Sequence, residues 1–128
     1  MVKEETICPI LLISARWQTR ALLAAQIGET LERDVVSAAG VTEALGLIKL
    51  GGVDPALMVV DAGQQLSVED VGRLLEAKRE TPVVLVVSRL RRASFEVFRD
   101  RAAATLVRPV SIGRIARAVG QVLEDEGE

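Results

Sequence analysis

The sequence has no histidine and no tyrosine. Without histidine it lacks the commonest general base and the commonest metal ligand. A histidine-activated nucleophile is excluded with it, so Ser14 has no base to deprotonate it. A single cysteine, Cys8, cannot close an internal disulfide, which fits a reducing compartment. It reads as a small hydrophobe beside the first apolar run. The aromatic residues are Trp17, Phe95 and Phe98 alone, too few to make a stacking platform for single-stranded nucleic acid. A net charge of −2 gives the chain no general pull on a polyanion. No apolar run approaches the roughly 18 residues of a membrane span. The opening "MVKEETICPILLIS" has too short an apolar run, with acids before it, for a secretory signal. "ISARWQTR" stands where a glycine-rich phosphate loop would follow a first strand, against a dinucleotide-binding fold. These absences predict a soluble cytoplasmic protein without nucleic-acid or membrane partners.

Of the 128 residues, 49% are hydrophobic, and most of these are Ala, Val, Leu and Ile. That is enough for one domain with a sizeable aliphatic core. Short apolar runs alternate with longer amphipathic ones. "PILLIS" (9–14), "DVVSAAG" (34–40), "ALMVV" (56–60), "TPVVLVVS" (81–88) and "ATLVRP" (104–109) have strand length. Between them, "ARWQTRALLAAQIGETLER" places Leu23, Ile27 and Leu31 on one helical face. Thr42 is placed to cap "EALGLIKL", where Leu45 and Ile48 share a side. Ser67 stands three residues before Asp70, near the capping-box spacing, with Val71, Leu74 and Leu75 as the buried stripe. "RLRRASFEVFRDR" is the weakest helix, with Phe95, Phe98 and Ala102 turned inward. After Ser111, a cap, Ile112, Ile115, Ala116, Val119, Val122 and Leu123 recur at steps of three and four. The acidic tail, residues 124–128, is expected to fray. Strand–helix alternation five times over predicts a parallel sheet with helices on both faces.

Ligands of such sheets bind outside the carboxyl ends of the strands. Asp61 follows the third strand and should surface there. Here the chain resembles the receiver domains of bacterial response regulators, over about residues 9–124. "PALMVVD" is similar to the family's strand leading into its phosphoacceptor aspartate. "AAGVTEAL" resembles its second turn and helix start, "TPVVLVV" its fourth strand, and "LVRPVSIGRI" its fifth strand, basic-Pro step and last helix. The resemblance implies one domain over 1–128 with a flavodoxin-like (CheY-like) three-layer fold and strand order 2-1-3-4-5. It also implies a role in two-component or phosphorelay signalling, with Asp61 as the position that would take a phosphoryl group from a histidine kinase.

Several matching positions depart from the family. Ser14 and Ala15 stand where it places the acidic pair that holds Mg²⁺. A gapless count from Pro82 puts Val87 at its strand-four hydroxyl, and Ser88 fits only if the strand is one residue longer. Arg108 replaces its lysine, and a planar fork is not a compact ammonium. "QQLSVED" lacks its Met-Pro step. Mg²⁺ wants an octahedron of oxygens, usually including carboxylates. These positions therefore predict a degenerate pocket with no metal or cofactor, no enzymatic activity, and Asp61 kept as a structural carboxylate. Asp61 would then pair with Arg108 or accept from N–H groups of the next loop. Mg²⁺ enters only on the alternative that Asp61 is a working phosphoacceptor. A second alternative is a nucleotide or flavin site at the same edge. Trp17 reads equally as a plug for that pocket or as an ordinary first-turn residue.

Between Arg89 and Arg117 lie eight arginines against two acids, Glu96 and Asp100. Arg89, Arg91, Arg92, Arg114 and Arg117 mark a candidate interaction face on the fourth helix, fifth strand and fifth helix, the bland alternative being a solvated charged surface. The resemblance implies docking there by another signalling protein, a histidine kinase, an output domain or a second copy of the chain.

Overall fold

The computed structural model describes residues 8–127. The stretch before Cys8, on which the expectation about a secretory signal falls, and Glu128 lie outside the described residues. Five strands, β1 (Ile10–Ser14), β2 (Val35–Ala38), β3 (Leu57–Asp61), β4 (Val83–Val87) and β5 (Ala104–Val107), alternate with helical segments. The α-helices are α1 (Trp17–Leu31), α2 (Val41–Lys49), α3 (Val68–Ala77) and α4 (Ile112–Gly127). The strands form one parallel sheet in the order β2-β1-β3-β4-β5, as expected.

The strands are apolar on both sides because both faces are covered. One face buries Ile10, Leu12, Leu57, Val59, Val84 and Val86 against Leu23 and Ile27 of α1 and Ile115, Ala116, Val119 and Val122 of α4. The other buries Leu11, Ile13, Met58, Val60, Val83, Leu85 and Val87 against α2, α3 and Phe95. The period-two alternation of each strand decides which side chain goes to which layer.

Three local expectations are corrected. The segment after β4 is not an α-helix but two 3₁₀ segments, Arg89–Arg91 and Ala93–Phe98. Three residues per turn put Phe95 and Phe98 on the same side, with ring centroids 6.0 Å apart. Phe95 is buried, and Phe98 and Ala102 pack on the same core. Thr42 caps nothing. The helix starts two residues earlier, at Val41 with Gly40 as its N-cap, and Glu43 Oε1 accepts from the Ala39 N–H instead. Residues 124–127 of the acidic tail continue α4, which runs through Gly127, rather than leaving the helix. The other two caps are in place, Ser67 Oγ accepting from Asp70 N–H and Ser111 Oγ from Arg114 N–H, each at 3.0 Å.

No helix among the described residues is long and apolar enough to cross a membrane.

Candidate functional site

In register, Ser14 of β1 stands beside Asp61 of β3, and Asp61 beside Val86 of β4. The two central strands therefore bring Ser14 and Asp61 to one edge of the sheet. Both are buried, at 1% and 7% exposure, which is costly for a carboxylate unless it is paired. Asp61 is paired. Its Oδ2 accepts from Ser14 Oγ at 3.0 Å and from Arg108 Nη2 at 3.0 Å. Arg108 follows β5, and its N–H donates to the Val87 carbonyl, which fixes where its side chain starts. Asp61 Oδ1 is buried and has no hydrogen-bond partner among the described residues. Of the two structural roles expected for this acid, the salt bridge is present; no N–H of the following loop reaches it.

A cavity of about 350 Å³ opens over this pair, lined by Ser14, Ala15, Asp61, Ser88 and Arg108 of the expected residues. Val87 is not part of its wall. It lies in the α2–α3 side of the core, because alternation from Val83 sends the fifth residue of β4 inward. Ser88, the first residue past the strand, lines the cavity, and its Oγ accepts from Arg91 N–H. Trp17 is no plug. It opens α1, is 66% exposed, and does not line the cavity.

Sequence reasoning missed Arg16, Thr19, Gly63, Gln64 and Gln65, which complete the wall. It also missed two braces. Arg20 Nη1 donates to the Ser14 carbonyl at 2.8 Å, and Arg91 Nη1 to the Gly63 carbonyl at 3.1 Å. The spacing Arg16, Thr19, Arg20 on the first turns of α1 was the available signal for one side of the site. Gly63 takes φ 51°, a conformation that favours glycine, and nothing in the pattern of apolar residues announces it.

The basic face is also redrawn. Arg89, Arg92, Arg114 and Arg117 are exposed. Arg91 is not free: besides its bond to Gly63, its guanidinium lies 5.0 Å from the Phe95 ring centroid. Arg101 donates to the Lys78 carbonyl at 2.8 Å, and burial lowers its pKa from the usual arginine value. Leu90 and Val97 are both largely exposed.

No protein-family model and no curated protein matches the sequence. Solved structures do match. A response-regulator receiver-domain protein from Clostridium thermocellum superposes with a TM-score of 0.77 at 15% identity, over 94% of this chain and 98% of that one. The receiver domain of NtrX from Brucella abortus gives 0.74 at 20% identity, over 90% and 98%. The chain has the receiver-domain fold. A third structure with this fold is described as belonging to a family of redox sensors in the streptococci that evolved from two-component response regulators. It gives 0.77 at 14% identity, over 94% of this chain and 52% of that one.

The Mg²⁺ that the resemblance implies does not fit the residues present. The edge offers one carboxylate, with one oxygen held by Arg108 and Ser14 and the other buried. No group of three His, Cys, Asp or Glu side chains among the described residues could hold a metal ion. Arg108 supplies to Asp61 the positive charge that a divalent ion would otherwise bring.

Proposed function

We propose that the chain is a receiver-like signalling module without magnesium-dependent phosphotransfer and without enzymatic activity, acting by protein–protein contact. The reading rests chiefly on the closed Asp61–Arg108–Ser14 arrangement. Phosphoryl transfer needs charge neutralisation around the moving group and an accessible attacking oxygen. Here the acid is neutralised by its own chain, one oxygen accepts two hydrogen bonds, and the other has no solvent exposure.

A surface remains as the means of action. Exposed Arg89 and Arg92, with Leu90 next to Arg89 in the chain, and exposed Arg114 and Arg117 of α4 offer planar cations and some apolar area of the kind interfaces use. Their sign calls for an acidic partner: another signalling protein, an output domain or a second copy of this chain. Light scattering of wild type against Arg114→Glu singles out the last, by a dimer mass that falls to the monomer's.

The decisive experiment is intact mass after incubation with acetyl phosphate and Mg²⁺. The expected result is an unchanged mass. A stoichiometric gain of one phosphoryl group, lost in Asp61→Asn, would show a working phosphoacceptor and overturn the reading.

A further inference from the structure

The outward face of α1 is unlike the rest of the surface. From the start of the helix to Gln26 its exposed residues are Trp17, Gln18, Ala21, Leu22, Ala25 and Gln26, and none is charged. Charged residues make up 27% of the chain, so such a stretch stands out. Trp17, the only tryptophan, is 66% exposed, and Leu22 is 58% exposed. The inner face of the same helix buries Leu23 and Ile27 in the core. The fold of one copy therefore makes little use of Trp17 and Leu22, and a contiguous apolar face left in water marks a contact surface.

The face fits a copy of itself. Trp17, Ala21 and Ala25 follow at steps of four, one above another, with Gln18 and Leu22 beside them. A large side chain at the helix start is thus followed by methyl-sized gaps. Turned end for end about the Ala21–Leu22 step, a second copy sets the partner's Ala25 opposite Gln18 and the partner's Gln26 opposite Trp17, so ring and gap meet. A two-fold contact also repeats every charge against itself, and a face without charge has nothing to repel. Glu29, the first charged exposed residue along this face, selects the direction. Parallel helices would set two Glu29 carboxylates side by side. Antiparallel ones part them by roughly 20 Å, beyond the roughly 8 Å reach of a charge in physiological salt. They also bring each Glu29 to the start of the other α1, where Arg16 is the N-cap. That end has no side-chain cap bond and no acid in its first turn.

We infer that α1 is a self-association surface, on which two copies of the chain pair antiparallel through Trp17, Ala21, Leu22 and Ala25. A helix of 15 residues is about 22 Å long, and one such face is smaller than the roughly 800 Å² per partner of a standard interface. The dimer is therefore weak and reversible, with a Kd on the order of 100 µM. This contact goes beyond the proposed function. It uses none of Arg89, Arg92, Arg114 and Arg117, and it leaves their face open to another partner.

The test is sedimentation equilibrium of the full chain at concentrations on both sides of that value, with Trp17 emission recorded alongside. A monomer–dimer equilibrium is expected, and emission should move to the blue as Trp17 leaves water. Leu22 and Ala25 are exposed, so Leu22→Glu and Ala25→Arg should fold normally, with the wild-type melting temperature in dilute solution. Each should weaken the dimer by about tenfold or more. Glu29→Gln should weaken it about two- to fivefold, the size of one charge at a helix end, whereas a parallel pair would tighten. Arg114→Glu should leave it unchanged. A monomer at every concentration, a dimer unmoved by Leu22→Glu or Ala25→Arg, and emission that ignores dimerisation would each overturn the inference. A dimer as tight or tighter in Glu29→Gln, or one lost in Arg114→Glu, would overturn it too. The mass experiment with acetyl phosphate is independent: a phosphoryl gain there counts against the proposed function and leaves the dimer standing, and a monomer here leaves that reading standing.

Discussion

Asp61 shows how little a residue's identity says without its neighbours. An aspartate at the end of a central strand is where a receiver-fold protein would do chemistry, yet here both of its short hydrogen bonds fall on one oxygen. Arg108 is the residue that decides this. Cutting it back leaves Asp61 buried without its cation. Because about a third of the Arg108 side chain is exposed, the loss should be below that of a fully buried pair. Arg108→Ala should therefore lower unfolding free energy by about 2–3 kcal/mol, read as a lower urea midpoint at unchanged slope. Ser14→Ala removes only the neutral donor and should cost less, about 1 kcal/mol.

Among the elements, two residues that look alike in sequence behave differently. Ser67 and Thr42 both precede a helical stripe. Ser67 holds the Asp70 N–H and lies outside α3, whereas Thr42 sits inside the first turn of α2, behind Gly40. Ser67→Ala should destabilise by about 1 kcal/mol, and Thr42→Ala should fall within about 0.5 kcal/mol of wild type in the same denaturation assay. The segment between β4 and β5 is a second case. Its two phenylalanines stand three apart, a spacing that an α-helix puts on neighbouring positions of one face and a 3₁₀ turn brings into line. The preceding 3₁₀ turn holds Arg91 against Gly63, so a segment that looked like a loose basic helix closes one side of the cavity.

For the molecule as a whole, the question is whether a divalent ion is linked to folding. A ligand that binds only the native state stabilises it by about 1.4 kcal/mol at ten times its dissociation constant. Millimolar Mg²⁺ should leave the wild-type melting temperature where it is. The double change Ser14→Asp with Ala15→Asp rebuilds an acidic cluster at the strand edge. In EDTA it should melt lower than wild type, because a second buried carboxylate faces Asp61. Added Mg²⁺ should restore much of that loss. A Mg²⁺-dependent rise in the wild type would mean that one carboxylate suffices and that the charge argument is wrong.

The amino-acid order by itself determined the five strands, their parallel pairing, and which faces of α1, α3 and α4 are buried. These follow from local periodicity, since a run such as Val83–Val87 must be covered on both sides and Ile115, Ala116 and Val119 must share one. The rule for parallel sheets placed Asp61 at the carboxyl edge, and the resemblance to receiver domains added Ser14, Ala15 and Arg108, which the cavity does bring together with it. Tertiary structure alone decided what those residues do. Whether Arg108 reaches Asp61, whether Val87 or Ser88 meets the cavity, and whether Arg91 points out or in depend on distances between segments far apart in the chain. Periodicity carries no information about such distances. They are set when sheet and helices pack, and there a one-residue change of phase turns a side chain from the core to the cavity.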